Sequence, residues 1–101
     1  TIGALEVTAL TRDVVEAIEM DCGGMNGAFI KAARRELGVS VKDISDRTKI
    51  SVYMLRLIEA DDLTELPAKV YLKGYLTQVA RLLQLPVNDV VSGFFRFHRV
   101  P

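Results

Sequence analysis

Cys22 and His98 are each the sole residue of their type in this 101-residue chain, and both types can act as a catalytic group or a metal ligand. A metal site needs three or four ligands at defined spacing, and these two stand far apart with no companions. Any serine can be paired with His98 on paper, but no spacing fixes a Ser-His-Asp geometry. "GGMNG", residues 23–27, is glycine-rich. It follows no strand pattern and lacks the lysine of a phosphate-binding loop. "FFRFHR", residues 94–99, interleaves aromatics with cations. That pattern suits a membrane surface or stacked bases. It equally suits a last helix packed on the core through Phe94, Phe95 and Phe97, which is the expectation here. No catalytic residue, metal ligand set or cofactor is expected.

The chemistry that remains is recognition. "SVKDISDRTKISVYMLRLIE", residues 40–59, has the rhythm of a helix-turn-helix, a short helix, a tight turn and a second helix packed across it. Ile44, Ile50, Leu55 and Ile58 fall where the two helices would cross, and Ser45 is small enough for close approach. Lys49 stands where a turn glycine is common, so the turn must close without the easiest residue. A DNA-reading second helix wants Arg, Lys, Asn or Gln at base edges. This one offers Arg56 among Val52, Tyr53, Met54 and Leu57. Glu59, Asp61, Asp62 and Glu65 would stand near a polyanion carrying one charge per about 1.7 Å of duplex axis. Lys42, Arg47, Lys49 and Arg56 are the residues a DNA-binding reading would use. The apolar stripe favours a protein surface instead, with Tyr53, Arg56 and Leu57 as contacts.

A second recognition stretch is "LPAKVYLKGYLTQVARLLQL", residues 66–85. Leu72, Leu76, Val79 and Leu83 make a core stripe. Tyr71 and Tyr75, four apart, flank it. Gly74 lies between them at a cost of about 1 kcal/mol relative to alanine, and a close approach by another backbone would account for it. With Lys73, the two tyrosines form an anchor patch for a partner; the alternative is that both rings complete the domain's own core.

The elements that position these groups are helical throughout. A first helix is expected over residues 8–20, with Leu10, Val14 and Ile18 on one face and Thr8 or Thr11 as cap. The glycines at 23, 24 and 27 break the chain. Residues 1–25 therefore read as a helical appendage or linker, and residues 26–98 as the domain. Asn26 caps a second helix ending near Leu37, with Gly38 as its stop. Ser40 and Ser51 cap the next two. Leu63 and Leu66 plug a loop, Pro67 enters the first turn of a helix reaching Leu85, and a last helix covers about 88–98. The fold class is all-α, a repressor-like helix-turn-helix five-helix bundle with an N-terminal appendage.

Thirteen Lys and Arg balance thirteen Asp and Glu, so the net charge is zero, where a dedicated DNA binder usually shows basic excess. Residues 1–27 hold Glu6, Asp13, Glu16, Glu19 and Asp21 against Arg12 alone. A lone cysteine excludes an internal disulfide and points to a reducing compartment. No apolar run approaches the roughly 20 residues needed to span a bilayer. The chain lacks an initiating Met and is expected to be part of a longer protein.

The opening "IKAARRELGVS" and the run "DRTKISVYMLRLIEADDLTELPAKVYLKGYLTQVARLLQLP" resemble the N-terminal helix-turn-helix domain of the RodZ family of bacterial morphogenesis proteins. The resemblance covers about Phe29 to Phe95. Ordinary repressor domains share residues 40–59 but usually lack "LPAKVYLKGYL". The resemblance implies a non-catalytic, cytoplasmic protein-interaction module whose partner is the bacterial actin MreB or another cytoplasmic protein. It implies contact through Tyr71 and Tyr75 with help from Arg56, and a place at the cytoplasmic face of the inner membrane through a segment outside this chain. Self-association through the apolar patch is a third reading. DNA is the disfavoured partner.

Overall fold

The first four helices form where a capping side chain and an apolar stripe coincide, and the last two on the stripe alone. The computed structural model describes residues 8–100 as six α-helices: α1 (Arg12–Cys22), α2 (Gly27–Glu36), α3 (Val41–Thr48), α4 (Val52–Glu59), α5 (Lys69–Leu82) and α6 (Val87–Phe97). A single 3-10 turn, Leu63–Glu65, lies between α4 and α5, and the described residues contain no strand. Glu6 of the acidic segment lies outside the described residues.

Four polar side chains start the first four helices by accepting a backbone N–H: Thr11 from Val14, Asn26 from Phe29, Ser40 from Asp43 and Ser51 from Met54. Each satisfies a donor that the first helical turn leaves unpaired. At α3 the arrangement is reciprocal. Asp43 N–H donates to Ser40 Oγ at 3.0 Å, and Ser40 N–H donates to Asp43 Oδ2 at 3.1 Å. These bonds from Ser40 hold the Asp43 carboxyl below its ordinary value of 3.8. A carboxylate whose folded pKa is depressed stabilises the fold fully above its unfolded value and loses that contribution as pH falls through the folded one. Asp43→Asn should therefore flatten the acid limb of melting temperature against pH below about 4, while the neutral variant melts lower at pH 7.

Asn26 does a second job. It is 2% exposed. Its Nδ2 donates to the Cys22 carbonyl at 2.8 Å while its Oδ1 accepts from Phe29 at 2.9 Å. One side chain thus ends α1 and begins α2. No residue of α1 is fully buried. The helix reaches the core through Val15, Ile18 and Cys22, and Leu10 precedes it on the same side. Leu10 and Ile18 pack as expected, with Val15 in place of Val14 between them.

The core joins all six helices. Phe29, Ile30 and Ala33 of α2 meet Val41 and Ile44 of α3, Leu55 and Ile58 of α4, Leu72, Leu76 and Val79 of α5, and Val90 and Phe94 of α6. The helix-turn-helix closes as its sequence requires. Ile44, Ile50, Leu55 and Ile58 are all at most 4% exposed. Lys49 takes the left-handed conformation, φ 65°, at the end of α3. Its N–H donates to the Ser45 carbonyl at 2.8 Å. α5 packs on α6 and α3, while α4 packs on α2 and α3.

Two expected boundaries differ. Pro67 precedes α5 rather than entering its first turn, and Ala68 stands at the N-cap without a side-chain bond. The helix also ends before Leu85, because Gln84 turns left-handed at φ 55° and the Leu85 N–H returns to the Ala80 carbonyl at 2.8 Å. Phe94 and Phe95 are buried as expected, but Phe97 is 46% exposed. It falls three residues after Phe94 on the last turn, where the core has run out.

Candidate protein-binding surface

α4 divides its side chains sharply. Leu55 and Ile58 point into the core. Val52 and Met54 pack partly buried against it, and Leu57 is half-buried. Tyr53, at 57% exposure, and Arg56 stand in solvent. The Tyr53 hydroxyl bonds to Glu65 on the 3-10 turn; that bond first, then burial and the charges of Glu65 and Asp62, raises the phenol above its ordinary value.

On α5, Val70 and Tyr71 are 71% and 63% exposed. Lys73 is exposed, while Tyr75 is half-buried and packs against the core. The expected anchor pair thus splits: Tyr71 is a surface ring and Tyr75 is largely a core ring with an accessible edge. None of the three tyrosines enters a ring contact among the described residues. The two groups of expected contact residues, Tyr53, Arg56 and Leu57 on α4 and Tyr71, Lys73 and Tyr75 on α5, sit on helices that both pack on α3.

Lys42, Arg47, Lys49 and Arg56 are all exposed. Lys42 pairs with Asp46 at 3.0 Å one turn along α3. The anions set against DNA in the sequence are not all surface charges. Glu59 accepts both Arg34 Nε at 2.7 Å and Arg34 Nη2 at 2.9 Å, with side-chain exposures of 11% for Arg34 and 8% for Glu59. The third donor, Nη1, reaches the Val39 carbonyl at 3.0 Å. The bond to Glu59 raises the Arg34 pKa against the opposing effect of burial. Asp61 accepts the Gly27 N–H at 2.7 Å and the Ala28 N–H at 3.2 Å, the free donors at the start of α2. Its Oδ1 also lies 2.7 Å from His98 Nε2. Asp62 caps the 3-10 turn through Thr64, whose side chain and N–H hold its carboxyl below 3.8. Glu59 and Asp61 are thus tied to partners in other helices and Asp62 to its own turn, and electrostatic exclusion of DNA is weaker than the sequence suggests.

These internal links were missed by sequence reasoning. His98, expected at a frayed end, is a half-buried clasp between α6 and the α4 terminus, its ring 4.5 Å from that of Phe94. Gly27 is more than a helix breaker. A Cβ there would overlap the Ile58 carbonyl oxygen and crowd the Glu59 carbonyl at 2.9 Å, so α2 begins against the main chain of α4.

Cys22 and His98, far apart in sequence, have Asp61 in common: it lies 2.7 Å from His98 Nε2, and its charge acts on the Cys22 thiol. Burial, then Asp21 and Asp61, push the Cys22 thiol above its ordinary value, which suppresses the thiolate. Among the described residues no three His, Cys, Asp or Glu side chains gather as a metal site. No helix among them is long and apolar enough to cross a membrane.

An all-helical bundle whose α3 and α4 cross through a three-residue turn defines a helix-turn-helix protein. Comparison agrees: the family model for the helix-turn-helix domain matches residues 29–90, and the chain belongs to that family. No solved structure matches it.

Proposed function

We propose that this domain is a non-catalytic protein-interaction module of the RodZ type, acting in the cytoplasm, and that it holds its partner on the outward faces of α4 and α5. One observation carries this: the large hydrophobic side chains left in solvent on these helices are Tyr53, Val70 and Tyr71. Tyrosine and valine offer no base-edge readout, while exposed tyrosines are typical anchors of protein interfaces. The resemblance to RodZ supports a bacterial actin of the MreB kind as partner. The segment before Asn26 serves, through α1, as an appendage to the domain over 26–98.

A DNA-binding reading draws on a different observation, the exposure of Lys42, Arg47, Lys49 and Arg56 around α3 and α4 together with the inward turn of Glu59 and Asp61. It leaves the exposed Tyr53 unexplained in the first turn of the reading helix.

The test is co-sedimentation with polymerised MreB. The wild-type chain should pellet with filaments. Tyr71→Ala with Tyr75→Ala should lose about 100-fold or more in affinity, two anchors at roughly 2 kcal/mol each before coupling. Because Tyr75 is partly core, Tyr71→Ala alone is the cleaner variant; its folding stability should change by no more than about 0.5 kcal/mol. A folded double variant that pellets like wild type contradicts the proposal.

A further inference from the structure

Gly74 sits at the centre of the outward face of α5, and nothing inside the molecule calls for it. Glycine is kept within a helix for positive φ or for close approach of another group. Gly74 is not among the positive-φ glycines, and a Cβ there would have no neighbour within 4 Å. The helix runs unbroken through it from Lys69 to Leu82. Val70 and Tyr71 stand four and three positions before it, Thr77 and Gln78 three and four after, so it forms a notch among larger neighbours. Leu72, Leu76, Val79 and Ala80 occupy the opposite, buried face.

We propose that Gly74 is the point where the main chain of the protein partner crosses α5, in an element whose carboxylates meet Lys73 and Arg81. A notch without a Cβ lets a backbone approach closer than any side chain at that position would allow. The charge follows from the helix itself. α5 carries Lys69, Lys73 and Arg81 and no acidic residue. Lys69 lies 5.2 Å from the centre of the Phe95 ring. No ion pair among the described residues engages Lys73 or Arg81. Both stand beside the notch, Lys73 adjacent in sequence and Arg81 two turns along the same face. This rests on the proposed protein-binding role of the same surface and adds the shape and charge of what binds.

The experiment titrates labelled chain with polymerised MreB and measures thermal unfolding of the same variants. Gly74→Ala should raise the folding equilibrium constant about fivefold, since alanine is the better helix residue at an open position. It should nevertheless weaken filament binding by tenfold or more. Arg81→Glu should weaken binding by a similar factor and leave folding unchanged. A Gly74→Ala variant that is less stable shows that the glycine serves the fold and overturns the proposal. If Gly74→Ala binds as tightly as wild type while the Tyr71/Tyr75 variant does not, the crossing point is wrong and the tyrosine face stands. If wild type does not bind, or no variant changes binding, both the crossing point and the protein-binding role fall.

Discussion

Gly27→Ala should cost the domain about 3 kcal/mol or more, at the upper end of overpacking penalties. An added methyl there meets main chain rather than a flexible side chain: the carbonyl oxygens of Ile58 and Glu59, with Asp61 Oδ1 at 2.9 Å. Relief requires α2 to move away from the end of α4. That movement would stretch the bonds by which Asp61 holds Gly27 and Ala28, and with them the clasp from His98. At about 4–8 °C per kcal/mol for a domain of this size, the melting temperature should fall by roughly 15 °C. Circular dichroism melts would show it, and a loss under 1 kcal/mol would mean that α2 and α4 do not cross there. The contrast with Gly74 is instructive. The same substitution at two helical glycines should move stability in opposite directions, because one Cβ meets a backbone and the other meets water.

Glu59→Ala should be at least as damaging, at about 3–5 kcal/mol, because it strands a largely buried guanidinium. Arg34 spends Nε and Nη2 on Glu59 and Nη1 on the Val39 carbonyl, tying α2, α4 and the segment before α3 together. Removing the carboxylate leaves the positive charge without its partner at 11% side-chain exposure. Replacing both residues with apolar side chains of similar volume should recover most of the loss, since neither charge then needs desolvating. Chemical denaturation of the two single variants and an Arg34→Met/Glu59→Leu double variant measures the coupling. Additive losses would show that the pair is not a unit.

Much of the fold can be read locally. Thr11, Asn26, Ser40 and Ser51 announce four helix starts by side-chain type and position, and Gly38 marks a stop with φ 71°. The crossing of α3 and α4 follows from apolar spacing alone. What escapes is long-range. Arg34 and Glu59 are 25 residues apart, Gly27 and Asp61 34, and Asp61 and His98 37. No local pattern pairs such residues, so Glu59 and Asp61 look like surface anions, and His98 looks like a loose end. The start of α5 escapes for another reason: Ala68 makes no side-chain cap, so only the apolar stripe marks the helix.

The candidate surface was legible as composition but not as exposure. Tyr71 and Tyr75 have the same side chain one turn apart on the same helix, and α5 turns one outward at 63% exposure while the other packs on the core. A spacing of four places them on one flank, yet the edge of that flank nearer the core is what separates them. Gly74 was visible in the sequence as a cost; its position in open space turns that cost toward a partner.

The central claim is that α4 and α5 present a polypeptide-binding face on a helix-turn-helix frame. The most direct measurement is fluorescence anisotropy of a mixed-sequence DNA duplex titrated with the chain at several salt concentrations. A protein-binding face predicts no saturation below about 100 µM near physiological salt, the weak edge of non-specific DNA affinity. Micromolar affinity that falls steeply with salt and disappears with Arg47→Ala, Lys49→Ala or Arg56→Ala would contradict it.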